Sequence, residues 1–268
     1  MPTGRPIRPG EKAVSINRGI FPGTFTMGNV VCGFLAILSA FEGNVITACW
    51  LIILAAFLDV LDGKIARLSG GSSQFGVELD SLADFLSFGV APAVVVYAVH
   101  VNQLGKWGWL ISAVYIMAAS YRLARFNLLA ATDEKKDFVG LPVPMAAVPL
   151  VAYIIFSHEI WGDVRYGQLL VSMIVLLSVL MVSQVTYDAM PDNFHTPTNR
   201  VKLIVAIVAG AAILFRPRLL LFPFCAAYIL WGMARDFYRL FYRRVSGNAD
   251  QRNVRRKKGR NKPNGSEE

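Results

Sequence analysis

The chain has 268 residues, of which 54% are hydrophobic and 17% charged, with a net charge of +9 and a mean hydropathy of +0.46. A water-soluble domain of this length carries about 25% charged residues and no recurring long apolar runs, so that class is excluded. Three cysteines (Cys32, Cys49, Cys225) without CxxC spacing and three histidines (His100, His158, His195) without ligand spacing argue against a disulfide framework and against zinc.

Taken in chain order, residues 1–21 form a basic juxtamembrane segment, and its lack of a small-residue cleavage site points to a retained first helix. Apolar runs near the ~20 residues that a bilayer core requires then recur. They predict spans over 22–41, 46–66, 80–100, 107–129, 141–158, 167–186, 200–215 and 217–236. Pro142, Pro144 and Pro149 are expected to bend or delay the fifth. The seventh and eighth, divided by Arg216-Pro217-Arg218, read as a tight hairpin or as one re-entrant unit. The fold class is therefore all-α integral membrane with about eight transmembrane helices. Counting Lys and Arg by loop parity puts 23 of the 27 on one side, which predicts both termini in the cytoplasm. Residues 237–268 make a basic tail, expected to be disordered, containing Arg255-Arg256-Lys257-Lys258. Beside a membrane, that charge suits topology or anionic lipid better than nucleic acid.

Four aspartates lie at or near span ends, where acids are expensive. Asp59 and Asp62 are three apart at the end of the second span, and Asp80 and Asp84 are four apart at the start of the third. Both spacings put two carboxylates on one helix face. The short connection from Leu68 to Phe75 makes the two helices antiparallel neighbours, so all four carboxylates converge at the cytoplasmic side. An acid that only caps a helix, or that pairs with Lys64 or Arg67, needs no such matched pairs. Divalent cations cancel the repulsion economically, and all-oxygen ligands favour Mg²⁺ or Mn²⁺. Two such ions suit an in-line phosphoryl displacement. Gly63, Ala66 on the face of Asp62, and Gly76 four before Asp80 leave a groove, with Arg67 at its edge to hold a phosphate. The non-enzymatic rival is a divalent-cation transporter, which would spread its acids at mid-membrane over several helices.

The run Asp59-Val-Leu-Asp62-Gly63-Lys-Ile-Ala66-Arg67, then eight residues, Gly76, three more, Asp80, three more, Asp84 resembles the signature of the CDP-alcohol phosphotransferases at every fixed position. The resemblance implies a six-helix core over 22–186, usually dimeric, followed by two further spans over 187–236. It implies two divalent metals on Asp59, Asp62, Asp80 and Asp84, with Asp84 also the general base. It places the CDP group among Asp59, Asp62, Gly63, Ala66, Arg67, Ser73, Gly76 and Asp80, with Thr26 and Asn29 of the first span.

Within that family, the stretches around Phe25-Thr26-Met-Gly28-Asn29, Ser73-Gln-Phe75-Gly76, Asp80 to Ala93, and Tyr121-Arg122-Leu-Ala-Arg125-Phe126-Asn127 look like the phosphatidylserine synthase branch. That implies a multi-pass protein of a prokaryotic inner membrane, using CDP-diacylglycerol and L-serine and releasing CMP. Serine brings a carboxylate, so its site needs a cation, and Arg122 and Arg125 end the fourth span on the side of the aspartates. Inositol or glycerol would need no such charge. Glycerol 3-phosphate would, and it stands beside serine as acceptor.

Overall fold

The computed structural model describes residues 20–68, 74–130, 140–183, 210, 212 and 214–235. The chain divides into two compact units, residues 1–134 with 142–182, and residues 135–141 with 183–268. Among the described residues every regular element is helical.

In the first unit, α1 (Ile20–Phe41) and α2 (Val45–Leu68) form a hairpin closed by Gly43, whose φ of +80° the tight turn requires. They pack along one another. The buried residues of the pair are mostly small: Ala36, Ala40, Ala48, Cys49 and Ala55, with Ile52 a larger exception. Small side chains let backbones approach closely where lipid supplies no hydrophobic drive between helices. Elsewhere on the pair, Phe34, Leu35, Leu38, Leu54 and Phe57 are exposed, as befits a lipid-facing surface.

The third span is one rod in three parts: α3 (Gln74–Asp84), a wide turn of six residues (Phe85–Val90), and α4 (Ala91–Val99). The wide turn is of π type, since the Ala91 N–H donates to the carbonyl of Leu86, five residues back. On α3, Phe75 and Leu82 are exposed while Asp80 and Asp84 are half-buried. A short 3₁₀ turn (Val101–Leu104) leads into α5 (Lys106–Ala130).

Pro142 is the N-cap of α6 (Val143–Trp161) and Pro144 lies in its first turn, where a proline loses no helical bond, so both mark the start of the helix without bending it. Pro149 lies inside α6, which is nonetheless the most deeply buried helix, with Ala146, Ala147, Leu150, Val151, Ile154 and Ser157 wholly enclosed. Its outer end is tied down: Tyr153 donates to the carbonyl of Arg165, and Ser157 donates to the carbonyl of Asp163 at 3.0 Å. The chain then enters α7 (Gly167–Val182), which packs on α5 and α6.

In the second unit, α8 (Pro217–Arg235) follows a turn in which the Arg216 carbonyl accepts from the N–H groups of Leu219 and Leu220.

Among the described residues, five helical segments are long and apolar enough to cross a membrane: 23–41, 45–65, 74–99, 143–161 and 217–235. The 25-residue α5 and the shorter apolar α7 complete the expected pattern over the first six spans. The third span starts at Gln74, not at residue 80, so its aspartates sit in the second and third turns rather than at the very end. The reason is that Gln74 and Glu78, four apart, make one face of this first stretch polar, and a hydropathy window passes over it. The described part of α7 ends at Val182. Most of the seventh span, residues 1–19 and the tail 237–268 lie outside the described residues.

Candidate active site

Helix α1 packs against both α2 and α3, and the last turns of α2 and the body of α3 carry the aspartates. Because Asp59 and Asp62 are three apart on α2, and Asp80 faces them from α3, their carboxylates draw together. One oxygen from each of Asp59, Asp62 and Asp80 lies within 4.8 Å of the others. Asp84 lies one turn beyond Asp80 on the same face of α3. Three of the four predicted aspartates therefore come together, as their spacing requires.

Helix α1 supplies the neutral side of the site. The Thr26 hydroxyl donates to Oδ2 of Asp62 at 3.0 Å, and Nδ2 of Asn29 donates to Oδ1 of Asp84 at 3.5 Å. Thr26 and Asn29, expected beside the CDP group, are thus found on the carboxylates themselves. Their i, i+3 relation matches one α1 residue to each acidic pair.

Such a site leaves charge uncompensated. Asp62 is 4% exposed, and Oδ1 of Asp80 is buried with no hydrogen-bond partner. A buried carboxylate oxygen without a donor is costly, and a hard divalent cation suits a set of carboxylate oxygens. The residues present fit a metal. Beside them, a Cβ built on Gly63 would meet no heavy atom within 4 Å, so that face of α2 is open to a ligand. Ser73 and the side chains of Ala66 and Arg67 lie outside the described residues. Gly76 is on the first turns of α3.

The two arginines of α5 differ. Arg122 is 5% exposed, its guanidinium stands 5.3 Å from the Phe126 ring, and its Nε has no hydrogen-bond partner. Arg125 donates from Nη1 to the Val182 carbonyl at 3.3 Å, tying α5 to α7. Five residues past Arg122, Nδ2 of Asn127 donates to Oγ of Ser81 at 3.0 Å. Ser81 follows Asp80, so this bond joins the arginine-bearing end of α5 to the aspartate-bearing helix.

A family model described as CDP-alcohol phosphatidyltransferase matches residues 19–182, which span every element of this site. The chain is 36% identical over 220 residues to the CDP-diacylglycerol–serine O-phosphatidyltransferase of Helicobacter pylori, covering 81% of this chain and 90% of the relative. It is 34% identical over 224 residues to the protein of the same name from Mycobacterium tuberculosis, covering 80% and 77%. It is also 36% identical over 169 residues to the archaetidylserine synthase of Methanothermobacter thermautotrophicus, covering 62% and 68%.

Proposed function

The chain belongs to the CDP-alcohol phosphatidyltransferase family, and on that premise we propose that it transfers the phosphatidyl group of CDP-diacylglycerol to the hydroxyl of L-serine, releasing CMP. The observation that carries the reading is the convergence of Asp59, Asp62 and Asp80 within 4.8 Å around a buried, unpartnered carboxylate oxygen. Serine as acceptor is supported by the names of the relatives from three organisms, and by a buried Arg122 whose Nε awaits an anion.

The family depends on divalent metal, and Mg²⁺ or Mn²⁺ held by Asp59, Asp62, Asp80 and Asp84 supplies charge neutralisation at the pyrophosphate. Thr26 and Asn29 keep two of those carboxylates oriented by donating to Asp62 and Asp84. Gly63, Ala66, Arg67, Ser73 and Gly76 accommodate the CDP group. Asp84 accepts the proton of the serine hydroxyl as its oxygen bonds to the lipid-bearing phosphorus and the bond from that phosphorus to CMP breaks. Arg122, with Arg125 beside it, holds the serine carboxylate through charge-assisted hydrogen bonds.

The domain reading is a six-helix catalytic core over 22–186, two further spans over 187–236 and a cytoplasmic tail. The charge asymmetry supports termini and site on the cytoplasmic face of a prokaryotic inner membrane. A homodimer follows from the family resemblance.

A CMP-release assay with serine, glycerol 3-phosphate and inositol as acceptors, with and without chelator, tests the proposal. Release only with serine, lost in chelator and restored by Mg²⁺ or Mn²⁺, is the expected result. Release driven by glycerol 3-phosphate, or undiminished after confirmed metal removal, would refute it.

A further inference from the structure

The wide turn Phe85–Val90 begins at the residue after Asp84, and its cause can be read two residues past its end. Pro92 has no N–H, and in a regular helix its ring would press on the carbonyl four residues back, which is that of Phe88. The ladder opens there, and Ala91 bonds to Leu86 instead. The carbonyl of Phe88, which the residue four places on cannot serve because it is Pro92, accepts the hydroxyl of Tyr115 on α5 at 3.1 Å. Both residues are fully buried. On the other side, the Ser87 hydroxyl donates to the backbone carbonyl of Asn29 at 2.9 Å. This contact exists because Gly33 has no side chain, since a Cβ there would come within 2.9 Å of the Ser87 Cα. The turn is therefore held from α1 and from α5 at once. The α1 residue that it grips is the one whose side chain donates to Asp84.

A wide turn takes in one more residue than an α-turn. Straightening it would rotate α3 against α4 by one residue's angular step, about 100°. Helix α4 is locked by its buried Ala91, Ala93, Val95 and Val96, so the rotation would fall on Asp80 and Asp84 and carry them away from Asp59 and Asp62.

From this geometry we infer that Pro92, Ser87 and Tyr115 are positioning residues, a brace that holds the wide turn open and so sets the rotational phase at which the two aspartate pairs face each other. The inference rests on the metal-dependent reading of the site given above, and it adds to that reading the device that builds the site.

The test is Mn²⁺ binding to detergent-solubilised full-length protein, followed by the electron paramagnetic resonance signal of free Mn²⁺ without substrate, alongside kcat and the KM for CDP-lipid. Pro92→Ala is expected to weaken Mn²⁺ binding at least tenfold while the protein inserts and melts like the wild type. Ser87→Ala and Tyr115→Phe, each losing one bond, are expected to weaken it about three- to tenfold, with kcat falling more than KM rises. The double variant Pro92→Ala/Tyr115→Phe is expected to be no worse than Pro92→Ala, because the alanine N–H then serves the Phe88 carbonyl. Should Pro92→Ala not insert, the two milder variants carry the test. Wild-type Mn²⁺ affinity in well-folded Ser87→Ala and Tyr115→Phe overturns the brace. A wild-type protein that binds no Mn²⁺ overturns the metal reading instead.

Discussion

Residues Gln74–Asp84 and Ala91–Val99 belong to one rod, yet only Ala83 is buried in the first stretch, whereas Ala91, Pro92, Ala93, Val95 and Val96 are buried in the second. The first stretch also carries Glu78, Asp80 and Asp84, and the second carries no charge. The difference separates two duties. Carboxylates crowded together in a membrane protein oppose folding, so that half is maintained by what it does. The apolar half is maintained by packing, and it supplies the fixed frame against which the acidic half is aimed. Substitutions of the acids in the first should therefore remove chemistry without unfolding the protein, and truncation of the packed Val95 or Val96 in the second should do the reverse, with Pro92 set apart because it shapes the turn and not the packing.

The sharpest way to break this contrast is Asp84→Asn. It keeps the shape and removes the proposed base, so turnover should fall by roughly 10²–10⁴. Thermal stability in detergent should hold or rise, because one mutual repulsion is gone. Near wild-type turnover at saturating metal would show that Asp84 is not the base.

Arg122→Ala comes next. Loss of a charge-assisted pair at a desolvated site should raise the serine KM by roughly 30- to 150-fold, equivalent to about 2–3 kcal/mol. The KM for CDP-lipid should stay close to that of the wild type. Arg122→Lys should recover only part of the loss, since an ammonium lacks the planar fork. An unchanged serine KM in Arg122→Ala would leave the arginine with a topological role alone.

Thr26→Val preserves volume and deletes the bond to Asp62. The concentration of Mg²⁺ giving half-maximal activity should rise about tenfold, in line with a hydrogen bond to a charged group. The smallest effect on activity belongs to Val95→Ala in the apolar half, where kcat per folded molecule should stay within error. Its melting temperature should fall, for a loss on the order of 1 kcal/mol from the packing defect. A Val95→Ala protein that kept its stability and lost its activity would contradict the division of the rod.

How much of this was legible in the sequence follows from the kind of signal each part leaves. The convergence of Asp59, Asp62 and Asp80, with Asp84 on the same face of α3, was readable because three- and four-residue spacings are properties of any helix and need no tertiary knowledge. The helices were readable for a similar reason, since hydropathy accumulates over about twenty residues. The start of the third span was misjudged by six residues, Gln74 against residue 80, because its first turns are amphipathic rather than apolar. The hydrogen bonds of Thr26 and Asn29 to Asp62 and Asp84 depend on how α1 packs against α2 and α3, and no local pattern encodes that. Tyr115 left no signal at all: it is one aromatic residue in the apolar run of α5, and only the opened backbone at Phe88 gives its hydroxyl a purpose. Pro92 was visible, but a proline near a helix start is ordinarily harmless, and a wide turn of apolar and small residues has the same hydropathy as a regular one.

The outward face of α3 carries Phe75 and Leu82, both exposed, on the helix whose inward side bears Asp80 and Asp84. A single helix wall thus separates hydrocarbon from the carboxylates, and a lipid donor need travel only sideways to arrive. The two substrates would then be sensed on different scales. Serine would be counted per volume of solution, and the lipid donor per area of membrane. Adding inert phospholipid or neutral detergent at constant total CDP-lipid should slow the reaction as the donor's mole fraction falls. Enlarging the aqueous volume at constant serine concentration should leave the rate per enzyme unchanged. Supply of the lipid would then be governed by membrane composition, independently of how much membrane the cell contains.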